Sequence, residues 1–212
     1  GVFVKNNALA AARMVTTGHG PEGTAIDAQG QLFTGLEDGR ILRVNVADGT
    51  NVEITNTGGR PLGMDFDAAG NLIIADAIKG LISMAPDGTL TTLATDFEGK
   101  RMLFVDDLAI ATDGVIYFSD ASQRHDIGND IQELFERRPS GRLISYNPAN
   151  GEMKLLLGDL YFANGVALSS DESFVLVNET FEHQIARYWL KGPKAGTSDV
   201  FVQNMPGFLD NI

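Results

Sequence analysis

Glu22, Asp106, Asn164 and Asp210 are the residues of this sequence whose types and spacing could do chemistry together. They occupy one place in a recurring pattern: GPEGTAIDAQGQLFTG (20–35), FVDDLAIATDGVIYFSD (104–120), FANGVALSSDESFVLVNE (162–179) and an opening MPGFLDNI (205–212). A further copy, RPLGMDFDAAGNLIIAD (60–76), has Leu62 at that place. Three carboxylates brought together would repel and push at least one pKa upward, a conflict that a cation removes. Carboxylate and amide oxygens with no clustered histidine or cysteine suit a hard ion, and Ca²⁺ tolerates an irregular multi-residue cage better than Mg²⁺. The expected site is therefore a Ca²⁺ centre, with other divalent cations as alternatives. A channel lined by polar residues with no ion is the competing reading. Asn164-Gly165 taken alone is also a hairpin-turn signal.

Convergence of four residues so far apart requires elements that repeat. Each stretch is a short alternating strand, a polar turn and a second apolar strand. The segments that follow (38–49, 79–94, 140–157 and 183–202) read as third and fourth strands joined by Asp-Gly, Asn-Gly or Pro-containing turns. Four antiparallel strands repeating every ~40 to 58 residues are the signature of a β-propeller. The expectation is an all-β chain, one propeller domain over residues 1–212, with about four blades and the start of a fifth. First strands border the central channel, so equivalent positions should meet at one end of it. A ring of so few blades would expose strand edges, which predicts further blades beyond Ile212 or self-association through the open flank.

One stretch interrupts the repeat. In QRHDIGNDIQELFERRP (123–139), Ile131, Leu134 and Phe135 fall on one helical face. Asn129 is the expected N-cap with Gln132 three residues on, and Pro139 ends the run. A short amphipathic helix in a loop results, either a cover for apolar side chains or a substrate lid.

The 16 basic and 28 acidic residues give a net charge of -12, which excludes nucleic acid as a partner and suits cations or neutral substrates. Cysteine is absent, removing disulfides, thiol catalysis and thiolate metal sites. No run is long enough for a membrane-spanning helix. Gly18, Gly20 and Gly23 satisfy GxGxxG, but a strand pattern follows them, so no dinucleotide site is expected. Asn178-Glu179-Thr180 is a glycosylation sequon, relevant only on a eukaryotic secretory route. His19 precedes Glu22 by three residues; it, His125 and His183 stay outside the catalytic set.

HQIARYWLKGPKAGTSDVF (183–201), with FANGVALSSD before it, MPGFLDNI after it and ERRPSGRLISYNP at 136–148, resembles the strictosidine-synthase-like branch of the superfamily that contains gluconolactonase (regucalcin) and paraoxonase. The resemblance implies a six-bladed propeller and an extracytoplasmic setting. Calcium-dependent hydrolases of that superfamily hold the ion with a first-blade glutamate, middle-blade asparagines and the aspartate of a DNI-like motif. Glu22, Asn164 and Asp210 match these, while Asp106 stands where asparagine is common. The implied activity is hydrolysis of a small-molecule lactone or aryl ester, with Asp210 as ligand and candidate general base, and with Asp107 and Asn211 beside the ligands. Strictosidine-type condensation of an amine with an aldehyde is the first alternative; that chemistry relies on a later glutamate. A noncatalytic binding propeller is the second.

Overall fold

The structure, a computed structural model, describes residues 8–13, 15 and 18–212. The alternating segments fold into four four-stranded antiparallel sheets taken in chain order. The first comprises β1 (Thr24–Ile26), β2 (Leu32–Gly35), β3 (Arg40–Val44) and β4 (Asn51–Asn56). The second comprises β5 (Pro61–Phe66), β6 (Leu72–Asp76), β7 (Gly80–Met84) and β8 (Leu90–Ala94). A small hairpin, β9 (Asp96–Phe97) and β10 (Lys100–Arg101), leads to the third: β11 (Val105–Ile110), β12 (Ile116–Asp120), β13 (Gly141–Asn147) and β14 (Glu152–Leu160). The fourth holds β15 (Ala163–Leu168), β16 (Phe174–Glu179), β17 (Gln184–Trp189) and β18 (Ser198–Val202). Successive first strands are neighbours, β1 beside β5, β5 beside β11 and β11 beside β15. This is the blade arrangement of a β-propeller.

The core lies between blades. Ile74 and Met84 pack toward Phe33 and Ile41 of the first blade, while Ile73 and Leu81 pack toward Val105 and Phe118 of the third. Adjacent residues of one strand thus serve opposite faces, which is why LIIAD is an unbroken buried run. Leu143, Val166, Val175 and Val177 fill the next seam. At the tip of the first hairpin, Asp27 Oδ1 accepts the amides of Gln29 and Gln31; Asp67 Oδ1 does the same for Ala69 and Asn71. These aspartates build turns.

A buried acid ends the second strand of three blades: Asp76, Asp120 and Glu179. Each accepts a backbone amide just ahead of its blade's first strand, from Arg60, Phe104 and Tyr161 respectively. Asp120 also pairs with buried Arg142. These carboxylates tie the inner strand to its neighbour at the end of the blade where the inner strand begins.

The insertion departs from its expected form. Helix α1 covers Ile131–Glu136, its N-cap is Asp130 rather than Asn129, and it ends at Arg137 in a left-handed conformation. Ile131 and Phe135 face solvent at 53% and 80% exposure, and Glu133 is buried at 2%. The reason is a pair of hydroxyls: Ser122 and Ser140 each donate to Glu133 at 2.7 Å. A satisfied buried carboxylate outweighs the apolar periodicity. Of the three expected apolar contacts only Leu134 is made, alongside Ile127, against Phe104, Phe162 and Phe181.

Candidate functional site

The inner strand of three blades carries an irregularity at the same place. Pairing skips between Pro61 and Met64, between Val105 and Leu108, and between Ala163 and Val166. The skipped residues are Leu62-Gly63, Asp106-Asp107 and Asn164-Gly165. Each is a bulge, with two residues facing one on the second strand, and bulges re-aim side chains. Asn164-Gly165 is therefore not a hairpin turn: both residues lie within β15, and Gly165 is absent from the positive-φ residues.

Glycine is needed there for closeness. A Cβ on Gly165 would stand 2.5 Å from the carbonyl oxygen of Asp210. One on Gly63 would strike the backbone of Asp106 and Asp107. The inner segments touch around the axis because these positions lack side chains. In the third blade the position is Asp107, whose Oδ2 accepts the amide of Val166 at 2.8 Å.

Asp106 and Asn164 are buried. Glu22, ahead of β1, is half-buried, and Asp210 is exposed on the 203–212 segment. That segment crosses the end of the fourth blade. Its fixings are the Met205 amide to the His183 carbonyl at 2.9 Å, Thr180 Oγ1 to the Leu209 carbonyl at 2.6 Å, and the Gly165 amide to the Asp210 carbonyl at 3.2 Å. Asn164 thus lies in the bulge next to the Asp210 backbone, and Glu22, Asp106 and Asp210 are near enough for their charges to act on one another.

Burial and mutual repulsion both act on these carboxyls. Burial pushes Glu22 up to about 7, reinforced by the negative charges of Asp210 and Asp107 and opposed by a hydrogen bond from Asn211 and by Arg60. Asp106 is raised well above the carboxylate range, first by burial and then by Glu22, Asp107 and Asp210. Asp107 rises to about 6, chiefly by burial, with its backbone hydrogen bonds pulling the other way. A cavity of about 300 Å³ opens along the inner strands, lined by Glu22, Met64, Asp65, Asp107, Val166 and Asn211 among others.

Among the described residues, no three acidic or histidine side chains are close enough to clamp an ion as they stand. The oxygen inventory nevertheless fits a cation: Glu22 Oε2 and Asn164 Oδ1 are buried acceptors without a hydrogen-bond partner. Buried acceptors are normally satisfied, and orphans at one place call for a donor or an ion.

Three contributors escaped the sequence reading. Arg60, two residues before the uncharged ring position Leu62, donates to the Gly20 carbonyl at 2.6 Å and supplies the positive charge felt by Glu22 and Asp106. Asp65 lines the cavity. Asn178 lies opposite the Asn164-Gly165 bulge, buried at 2% with its Nδ2 on the Asp210 carbonyl. That commitment also disposes of the sequon at this residue. His19 is exposed and bonded to Glu37, and His183 stacks on Phe208, so neither joins the ring. The GxGxxG run leads into β1 with no helix after it.

Fold and site together define a β-propeller with polar residues gathered at one end of its inner strands. A gluconolactonase from Xanthomonas campestris superposes with a TM-score of 0.74 at 22% identity, covering 92% of this chain and 66% of that one. A calcium-binding regucalcin from Agrobacterium tumefaciens gives 0.66 at 17% identity, covering 92% and 64%. Residues 106–193 match the strictosidine synthase family, and residues 1–44 match the strictosidine synthase-like N-terminal family. Strictosidine synthase-like protein 6 of Arabidopsis thaliana is 39% identical over 188 residues, 86% of this chain and 50% of the relative. The adipocyte plasma membrane-associated protein of Rattus norvegicus is 38% identical over 210 residues, 92% of this chain and 56% of the relative. The chain belongs to the strictosidine synthase-like family, and it spans about half the length of the curated relatives it matches.

Proposed function

We propose that this chain carries the cation-binding end of a Ca²⁺-dependent hydrolase of lactones or aryl esters. The observation that supports this reading is the set of buried acceptor oxygens without partners on Glu22 and Asn164, beside a buried Asp106 and an Asp210 whose negative charge helps push the Glu22 carboxyl up. Glu22, Asp106, Asn164 and Asp210 would hold the ion. When bound, a divalent cation supplies Lewis-acid polarisation of a substrate carbonyl and stabilises charge developing on its oxygen.

The rest is the work of this chain's own groups. The exposed Asp210 carboxylate accepts a proton from the attacking water, since it can meet both solvent and substrate. Asp107 fixes β11 to β15 through the Val166 amide and keeps the ring spacing. Arg60 moderates the ring's negative charge without entering it. The cavity beside Glu22 and Asp107 gives the reacting group a partly enclosed berth.

The test compares hydrolysis of an aryl acetate and a δ-lactone by the parent and by Asp210→Asn, with Ca²⁺ and with chelator. The reading expects activity that needs Ca²⁺ and falls roughly 100-fold or more in the variant. Activity indifferent to both would overturn it. The match of residues 106–193 to the strictosidine synthase family favours one second reading, condensation of an amine with an aldehyde. It would be recognised by Ca²⁺-independent consumption of both reactants.

A further inference from the structure

We propose that Asn178 is the positioning residue that sets Asp210 in the ring, an assignment that rests on the cation-binding reading above. Three independent observations on this residue point the same way.

The first is its place in the repeat. Because each bulge sets two inner-strand residues against one partner, the residue opposite is fixed by register. It is Ala75 in the second blade, Ser119 in the third and Asn178 in the fourth. Counting from the pair Thr24 and Thr34 puts Gly35 at this place in the first blade. Gly35, Ala75 and Ser119 are small, and a Cβ on Gly35 would collide with Pro61 at the start of the next inner strand. The place is where one blade's second strand meets the next inner segment. In the fourth blade that segment is the 203–212 stretch, which belongs to no strand.

The second is what the amide does. Nδ2 of Asn178 donates to the carbonyl oxygen of Asp210, the same atom that accepts the amide of Gly165. Two donors from opposite sides of the bulge therefore fix the backbone of a ring residue that lies outside any strand. Glycine at 165 makes room, since a Cβ there would fall 2.5 Å from that carbonyl and 2.9 Å from Asn178 Nδ2.

The third is the other half of the amide. Oδ1 of Asn178 is buried and has no hydrogen-bond partner, as is true of Asn164 Oδ1 and Glu22 Oε2. An asparagine kept at 2% exposure with its acceptor unpaired is costly as packing alone. Holding Asp210 accounts for its donor, and the acceptor stands beside the bulge that carries Asn164.

The test uses Asn178→Ala, a residue this place already accommodates in the second blade. Amide hydrogen exchange on metal-free protein reads the grip directly. The Gly165 amide should exchange at least 10-fold faster in the variant, while the Val166 amide, held by Asp107, is unchanged. Ca²⁺ titration followed by melting temperature should show affinity at least 10-fold weaker, with the metal-free melting temperature nearly that of the parent. A purely structural role would lower the melting temperature with and without Ca²⁺ alike and leave affinity intact. Unchanged Gly165 exchange, or parental Ca²⁺ affinity in the variant, overturns the assignment. A parent protein that does not respond to Ca²⁺ overturns the cation-binding reading instead, and the exchange result then still decides whether Asn178 holds Asp210.

Discussion

At the scale of single residues the site is a problem of charge. Glu22 sits at about 7 and Asp107 at about 6, both above the values expected of an unfolded chain. A raised carboxyl binds its proton more tightly folded than unfolded. Its contribution is thus complete below about pH 4 and is lost as pH rises through 6 and 7. Metal-free protein should therefore melt lower at pH 7.5 than at pH 5, by roughly 5 °C, and Glu22→Gln should flatten that slope. Scanning calorimetry across this range checks it, and a melting temperature that rises with pH would contradict the raised values. Glu22, Asp106 and Asp210 were legible in the sequence because a repeat turns distant positions into equivalent ones. Asn178 and Arg60 were not. Their roles depend on what lies across a bulge or beside a loop, and no spacing rule carries that information.

At the scale of elements, the bulges explain how a strand can border the axis and still aim polar groups at it. Gly63→Ala would press a methyl into the Asp106-Asp107 backbone, costing about 2 kcal/mol. A melting temperature lowered by roughly 6 °C would report it. The insertion offers a sharper contrast. Glu133→Ala strips two buried hydroxyls of their acceptor, at a cost of about 2 kcal/mol, and should speed proteolytic cleavage within 123–139. Phe135→Ser, at the outward position, should change stability by no more than about 0.5 kcal/mol. The reverse ranking would restore the apolar-face reading. That reading failed because three apolar residues at helical spacing outvoted one glutamate, and only the fold shows that Ser122 and Ser140 wait beneath it. Strand existence was more legible, since alternation and Asp-containing turns recur in every blade. The two-residue strands β9 and β10 leave no such periodic mark.

At the scale of the whole molecule, the second and third blades are packed on both faces, whereas among the described residues no further blade covers the outer face of the fourth. Val175 and Val177 pack toward the third blade, and the alternating positions Phe174 and Trp189 gather with Phe201 around Arg187 on the other face. Phe201 is 48% exposed. An apolar sheet face of this kind favours association, so sedimentation velocity should show concentration-dependent self-association that Phe201→Glu reduces. A concentration-independent monomer would contradict this. In the function proposed above, the axial ring is built for a divalent cation. Calorimetric titration of chelator-treated protein with Ca²⁺ tests it most directly. The account predicts saturable binding of one ion per ring, a melting temperature that rises with Ca²⁺ as mass action requires, and loss of both in Glu22→Gln. No heat of binding, together with a melting temperature unmoved by Ca²⁺ or by chelator, would contradict it and leave a noncatalytic propeller as the better description.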